Sequence, residues 1–394
     1  YCDYFERVSN MENKPYLLVE WNDTETDAKG WLCVYNFVNH YSGGGTRMHP
    51  TVTREEVIRL ATTMGYKYKA CESQTTGGCK GGIAYDYRAD DADEVLYRYL
   101  VAMTPYLKAG VSLGGDLGVD YGLVLKFFDK LGIGLPQTKE MANSPEIQQH
   151  IKEHDELCTK KYDGFLMYDM ITGYGVGAAL DEVWTLRTGK SGDGARVVIQ
   201  GFGCVGASLA NFLDKHGYKV VGIADANLLV ECQEGLDVKE LIETRKPKGE
   251  LDQSVFKPNY VVRENSEWLE VDCDILVPAA LEDVINEGNV DKVKAGLIVE
   301  AANIPVTEEA ERILAERGID ITVDFLTNMG GIRIYEVAVF GLVPPEPEAI
   351  AQDTIDIIRK QNRAVFEKSK AENRPPREVA LELFKPDKSD SPDI

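Results

Sequence analysis

The sequence predicts an α/β protein of two domains, an α+β domain followed by a doubly wound one. Three observations predict it. At 394 residues the chain is longer than one compact core needs. Its first third mixes apolar runs such as Trp31 to Val38 with an amphipathic segment, Asp91 to Lys108, on which Val95, Leu96, Tyr99, Leu100 and Met103 recur at helical spacing. From about Arg196 the texture changes to short β-branched runs, at Arg196–Gln200, Lys219–Ile223, Asp274–Val277, Leu297–Glu300 and Asp320–Val323. Helical stretches with charged faces separate several of them, the alternation of a parallel sheet covered by helices on both faces.

The first domain is expected over residues 1–170, the doubly wound domain over 171–340 and a C-terminal helical segment over 341–394, with a cleft between the two domains. Pro344, Pro345 and Pro347 break the chain, and from Ala349 on Ile350, Thr354, Ile357, Ile358 and Val365 form one helical stripe. A helix is therefore expected to leave the second domain and return toward the first. Lys385 to Ile394, polar and with two prolines, is expected to fray.

Composition narrows the function classes. A hydrophobic fraction of 44% is that of an ordinary globular protein. The formal charge of −22 repels phosphate backbones, and no basic run with interleaved aromatics opposes it locally, so nucleic acid is excluded as a partner. The eight cysteines are scattered, with no CxxC pair and no histidine cluster at ligand spacing, which points to a reduced compartment and no metal. No run approaches the ~18 apolar residues of a membrane span, and Tyr1 to Asn10 lacks the layout of a signal peptide. A soluble, cytoplasmic protein is expected.

The most informative motif follows the run Arg196–Gln200. Gly201-Phe202-Gly203-Cys204-Val205-Gly206 leads from that strand into a helical stretch, Ala207 to Asp214, which is the context a dinucleotide turn requires. Gly201 permits the tight turn, Gly203 lets the backbone approach a pyrophosphate, and Gly206 lets the helix pack close with its N–H groups facing the phosphate charge. Asp225 closes the next strand, where a carboxylate accepts from both ribose hydroxyls and repels a 2′-phosphate. NAD is accordingly expected rather than NADP. Cys204 serves there as a small side chain.

Upstream, Lys80 stands in Thr76-Gly-Gly-Cys-Lys80-Gly-Gly82, and Asp116 stands among glycines in Gly114-Gly115-Asp116-Leu117-Gly118. Glycines supply no packing of their own, so the backbone there is expected to be brought close to something. A lysine in a dehydrated cleft near a second cation, available in Lys67 or Lys69, has its pKa lowered and can act on protons or water near neutral pH.

These motifs, in this order, resemble those of the glutamate/leucine/phenylalanine/valine dehydrogenase family. The resemblance rests on Gly44 to Arg47, Met64 to Lys67, Gly77 to Gly82, Gly115 to Val119, Thr172 to Gly175, Gly201 to Gly206, Pro278 to Ala280, Glu300 to Pro305 and Asn328 to Gly331. It implies an α+β substrate and oligomerisation domain and a Rossmann-type NAD-binding domain. It implies Lys80 as the catalytic lysine, Asp116 as its acid/base partner and Lys67 as the group that binds the substrate α-carboxylate. Gly43, Gly44, Asn328 and Tyr335 would line the substrate site. Thr172, Ala279, Asn303 and Asn328 would join Gly201, Phe202, Gly203, Cys204, Val205, Gly206 and Asp225 around the cofactor. The activity implied is reversible oxidative deamination of an L-amino acid to its 2-oxo acid and ammonia, by a homo-oligomer.

The chain also departs from the family pattern. Lys67 stands one residue further from Lys80 than the family lysine does, and Lys69 one residue nearer; the Met-x-Tyr-Lys match favours Lys67 and leaves Lys69 as the alternative. Tyr168 occupies a place where the family has an arginine. Glutamate enzymes carry a lysine where this chain has Gly43 and a serine where it has Tyr335. Glycine is read as opening space and tyrosine as offering an aromatic face. A second substrate carboxylate would be desolvated without a partner, at a cost on the order of several kcal/mol, so a neutral apolar or aromatic amino acid is expected in preference to glutamate. The remaining readings are a glutamate dehydrogenase, a 2-hydroxy-acid dehydrogenase, for which no His or Arg catalytic motif is seen, and a catalytically silent NAD-binding paralogue.

Overall fold

The computed structural model describes residues 14–73, 75–133, 144–246 and 249–386. They form two compact units, one holding the chain up to Gln148 and again from Phe384, the other Gln149–Leu383. Of the tail expected to fray, residues 387–394 lie outside the described residues.

In the first unit β1 (Leu17–Asn22), β2 (Lys29–Val34), β3 (Ser42–Met48), helix α1 (Arg54–Ala70), β4 (Gly77–Ala84), α2 (Ala92–Leu107), β5 (Val111–Gly115) and α3 (Tyr121–Leu131) follow in order. The strands form one sheet in the order β1-β2-β4-β3-β5. β2 runs antiparallel to β1 and β4, while β3 is parallel to β4 and β5. The expected helix Asp91 to Lys108 is α2, with Asp91 and Lys108 as its caps and its apolar stripe buried. Of the run Trp31 to Val38 only the part up to Val34 is strand.

The glycines of β4 correct one expectation, because they do serve packing. A Cβ on Gly82 would stand 3.0 Å from Val52 Cγ1 and closer still to Val57 of α1, and one on Gly78 would collide with the α1 backbone at Gly65 and Ala61. On the opposite face a Cβ on Gly81 would stand 2.9 Å from Tyr99 Oη of α2. What the bare backbone approaches is thus a helix on each side, so β4 is buried along almost its whole length.

The chain continues as α4 (Pro145–Cys158), the two-residue strands β6 (Lys161–Tyr162) and β7 (Phe165–Leu166), and α5 (Met167–Thr188). Then come β8 (Arg196–Gln200), α6 (Cys204–Lys215), β9 (Lys219–Ala224), β10 (Leu229–Glu231), α7 (Val238–Glu243), β11 (Val261–Arg263), β12 (Ile275–Pro278), β13 (Leu297–Ile298), α8 (Glu308–Glu316) and β14 (Asp320–Ile321). Four helices close the order, α9 (Asp324–Thr327), α10 (Gly330–Val339), α11 (Pro347–Glu372) and α12 (Pro376–Leu383). The second sheet is ordered β11-β10-β9-β8-β12-β13-β14. All five β-branched runs read from the sequence lie in it and pair in parallel. β10 and β11 add an antiparallel edge, and at three residues each they are too short to show a period. Val197, Ile199, Val220 and Ile223 face one buried cluster and Val198, Val221, Leu276 and Ile298 another. Burial on both faces is why these strands read as continuous apolar runs.

The division of the chain falls after Gln148 rather than after 170, and residues 341–383 belong to the second unit rather than to a separate segment. The reason is close helix packing. A Cβ on Gly173 of α5 would stand 2.7 Å from the backbone nitrogen of Leu209 in α6, and one on Gly175 2.5 Å from Ile358 of α11. Helices α5, α6 and α11 therefore form one layer. No helix among the described residues is long and apolar enough to cross a membrane.

Candidate active site

In the first unit Gly43, Gly45 and Arg47 alternate along one face of β3, and Gly78, Lys80 and Gly82 do so on β4. The ammonium of Lys80, 5% exposed, lies against Oδ2 of Asp116. Asp116 is held in place by a tight turn. β5 ends at Gly115, the N–H of Val119 donates to the Asp116 carbonyl at 2.9 Å, and Gly118 takes φ +75° with no room for a side chain against the carbonyl of Met48. Gly45 is bare because a Cβ there would stand 3.0 Å from that of Asp116. Gly45 and Gly118 thus make room for Asp116 and the turn that holds it.

A third member was not read from the sequence. Arg47, 6% exposed, places its Nε 3.4 Å from Asp116 Oδ2 and its Nη1 2.8 Å from Glu56 Oε1. Burial works against ionisation of Asp116, but the charges of Lys80 and Arg47, the Lys80 hydrogen bond and the Leu117 N–H prevail and hold the carboxyl well below its usual range. Thr53-Arg-Glu-Glu56 is a capping-box signature. Thr53 does cap α1, accepting from the Glu56 N–H at 3.1 Å, while the Glu56 carboxylate pairs with Arg47. Lys67 and Lys69 stand in the last turn of α1, Lys67 buried at 5% exposure and Lys69 half-buried.

Gly43 does not open space. A Cβ there would press on the phenol oxygen of Tyr68 and stand 3.0 Å from Thr76 Cγ2, so its side-chain place is already filled. Gly44 is bare because a Cβ would run into the Cys79 carbonyl of the neighbouring strand. Tyr335, in α10 of the second unit, is half-buried and has His154 edge-on at 5.4 Å between ring centres. Its ring is partly covered from within its own unit. Arg333, two residues before Tyr335 in the same helix, makes a two-pronged ion pair with Asp353 at 2.6 and 3.0 Å.

In the second unit the Gly201 to Gly206 turn joins β8 to α6. Gly201 adopts φ +99°, Gly203 has nothing within 4 Å of its Cβ place, and Gly206 touches the Gly201 carbonyl so closely that no side chain fits. Gly203 is the N-cap of α6, so the first-turn amides of Cys204, Val205 and Gly206 face the turn. Phe202 is 1% exposed, so its side chain packs into the core beneath the turn. Cys204 is exposed at the residue level, and partial desolvation of its thiol, with the charge of Asp169 nearby, holds it above its usual range. Arg245, another residue the sequence did not single out, donates to the carbonyls of Phe202 and Gly203 at 3.3 and 2.9 Å.

Asp225 stands at the end of β9 but faces inward, 9% exposed. Its carboxylate accepts from the backbone N–H groups of Asn227, Leu228 and Leu251 at 2.7 to 2.8 Å. That leaves about one of its four lone-pair sites, so the expectation that it accepts from both ribose hydroxyls is corrected.

Ala279, Asn303, Asn328 and Thr172 are brought together at the C-terminal ends of the parallel strands, where ligands of doubly wound sheets bind. The Ala279 carbonyl lies 3.1 Å from the Cβ place of Gly201, and Ala301 and Ala302 donate to the Pro278 carbonyl. Asn328 donates to the carbonyls of Ala301 and Ala302 and to Asn303 Oδ1 at 3.1 to 3.2 Å. Thr172 Oγ1 is 3.5 Å from the Cβ place of Gly331, three residues beyond Asn328. Asn328 Oδ1 is buried and meets no donor among the described residues, an acceptor left for a ligand N–H. The bare Gly203, the helix amides and this acceptor fit a nicotinamide dinucleotide.

Such a turn on a doubly wound sheet, in a chain whose other unit holds a buried lysine paired with an aspartate, defines a nicotinamide-dependent oxidoreductase. The chain belongs to the Glutamate/Leucine/Phenylalanine/Valine dehydrogenase family, whose model matches residues 164–383, while that of the Glu/Leu/Phe/Val dehydrogenase dimerisation domain matches residues 17–120. It is an amino-acid dehydrogenase. It is 33% identical over 337 residues to the NADP-specific glutamate dehydrogenase of Saccharolobus shibatae, covering 84% of this chain and 76% of that one. It is 34% identical over 316 residues to the NAD-specific glutamate dehydrogenase of Staphylococcus aureus, covering 77% and 70%. In fold it is similar to the hetero-hexameric glutamate dehydrogenase of Thermus thermophilus in a leucine-bound form, with a TM-score of 0.75, 24% identity and coverage of 98% and 93%.

Proposed function

We propose that the chain catalyses NAD-dependent oxidative deamination of a neutral, apolar or aromatic L-amino acid to its 2-oxo acid and ammonia, and the reverse reaction. The lysine–aspartate pair supports the reaction class. The observation that carries the substrate reading is position 43, where no cation stands and the phenol of Tyr68 takes the space. A side-chain carboxylate would lose its water there without a partner charge, and Arg333 is taken up by Asp353.

Bound NAD supplies the hydride acceptor. Lys67, the more buried of the two candidate lysines, holds the α-carboxylate. Asp116, kept ionised by Lys80 and Arg47, takes one proton as water adds to the iminium carbon and returns it to nitrogen; as the C–N bond breaks the hydroxyl proton passes to the departing ammonia, which leaves as ammonium while the carbonyl forms. The ammonium of Lys80 donates to the oxygen that becomes the carbonyl, stabilising charge where it develops. Asn328 Oδ1 accepts from the carboxamide of the nicotinamide. An intact pair of Lys80 and Asp116 speaks against a silent paralogue.

The charge on Asp225 favours NAD. Arg245, a cation on the glycine turn, favours the second reading, that NADP is used as well. The dimerisation-domain match supports a homo-oligomer, and a cytoplasmic location belongs to the same reading. The experiment is a panel of L-amino acids with NAD+ and NADP+ at alkaline pH. A neutral amino acid with NAD+ is expected to give the highest kcat/KM. L-glutamate as the best substrate overturns the substrate reading, and NADP+ as the better oxidant overturns the cofactor reading.

A further inference from the structure

A buried charge cluster lies behind the loop that carries Asn303. Glu300 and Asp324 have side chains with no exposed surface, and both face the guanidinium of Arg377, which comes from α12, far along the chain. Arg377 Nη2 is 2.5 Å from Glu300 Oε2, Nη1 is 3.0 Å from Asp324 Oδ1, and Nε is 2.7 Å from Glu311 Oε2 of α8. One planar fork thus engages three carboxylates, which an ammonium cannot do. Two of those carboxylates shape the loop directly. Glu300 Oε2 accepts the Asp324 N–H at 2.9 Å, and Asp324 Oδ2 accepts the Ile304 N–H at 2.9 Å.

The second of these bonds explains an otherwise costly feature. Ile304 has φ +43°, a left-handed conformation that a β-branched residue avoids. Its amide is pinned there by Asp324, and Asp324 is pinned by Arg377. The strained turn points Asn303 at Asn328, whose Nδ2 donates to Asn303 Oδ1 at 3.2 Å, and leaves the buried Asn328 Oδ1 as an acceptor. Burial raises the Glu300 carboxyl well above its usual range, with Asp324 and Glu311 adding to the effect and Arg377 opposing it. The cluster is therefore intolerant of losing the Arg377 cation.

We propose that Arg377 is a positioning residue for the nicotinamide end of the cofactor: through Asp324 it holds the Asn303–Ile304 turn and so orients Asn328. This rests on the nicotinamide reading of Asn303 and Asn328. It assigns a role in cofactor geometry to a helix that lies outside the sheet and its glycine turn.

The test separates the two ends of the nucleotide in Arg377→Gln. NADH contains the nicotinamide and ADP-ribose lacks it; if wild type prefers NADPH, that nucleotide and 2′-phospho-ADP-ribose are used. Titration is expected to show NADH binding weakened about ten-fold, the equivalent of one hydrogen bond to a charged network, with ADP-ribose binding unchanged and kcat lowered. Guanidinium ion, able to enter because the Arg377 side chain is 19% exposed, is expected to restore NADH affinity, and Arg377→Lys is not. The double variant Glu300→Gln with Arg377→Gln removes one buried negative charge with the cation and serves where the single variant does not fold. It is expected to show the same loss confined to NADH. Unchanged NADH binding, or an equal loss of NADH and ADP-ribose, overturns the proposal. Failure of wild type to bind NADH more tightly than ADP-ribose would instead overturn the nicotinamide reading beneath it.

Discussion

Arg47 Nε stands 3.4 Å from Oδ2 of Asp116, the same oxygen that faces the Lys80 ammonium. Asp116 is thus an anion between two cations, one of which is tied at its other end to Glu56. This makes Arg47 the electrostatic support of Asp116, the proposed acid/base group. Replacing it by Gln should let the Asp116 pKa rise toward its ordinary value. The acid limb of the kcat/KM profile should then move to higher pH, and a profile that stays where wild type has it removes Arg47 from the chemistry.

The same arrangement sets an acid-stability dependence. The folded-state pKa of Asp116 is depressed, so its contribution is fully present above the unfolded carboxylate value of about 3.9 and is lost as pH falls from there through the folded pKa. In Arg47→Gln that contribution should be smaller at neutral pH, and Glu56, with a side chain 10% exposed, loses its cation partner. Thermal unfolding of wild type and variant at neutral pH should show the variant lower by ~2 kcal/mol or more, with the gap shrinking below about pH 4.

Lys80→Ala should lower kcat by roughly 10³-fold or more, the scale of lost acid/base and electrostatic assistance. NADH affinity should survive, because the glycine turn and its helix amides belong to the other unit. Pre-steady-state turnover and fluorescence titration together check this, and near wild-type turnover would refute the assignment.

Substrate preference turns on Tyr68 as much as on Gly43. A neutral amino acid should exceed L-glutamate in kcat/KM by ~100-fold, the ratio that ~3 kcal/mol of unpaired-charge cost implies. Gly43→Lys alone should be destabilising by ~1–3 kcal/mol, because the new side chain meets the Tyr68 phenol. Gly43→Lys with Tyr68→Ala should recover that stability and shift preference toward glutamate, which denaturant melts and a substrate panel would show.

Asp225→Ser removes the acceptor of three backbone N–H groups at once. Stability should fall by about 2 kcal/mol or more, and the ratio of NADP to NAD use should rise as the charge goes. A folded variant with an unaltered ratio would mean that Asp225 shapes the turn without reading the ribose.

The sequence by itself determined the class of fold and singled out the residues proposed for the reaction. Its β-branched runs are buried on both faces, so they needed no tertiary knowledge to be read as a parallel sheet. The glycine turn after Arg196–Gln200 is a local device whose meaning lies in strand, turn and helix in succession. Lys80 and Asp116 were marked by the glycines around them. Only tertiary structure decided which neighbours fill the places those residues leave. Tyr68 occupying the side-chain volume of position 43, Arg47 reaching Asp116, Asp225 turning inward to accept from the Leu251 N–H, and Arg377 crossing to Glu300 and Asp324 all join residues without a common sequence period. Periodicity and motif spacing report what one segment does with its own backbone. The burial that makes an ion pair strong, or a glycine obligatory, comes from segments that only folding brings together.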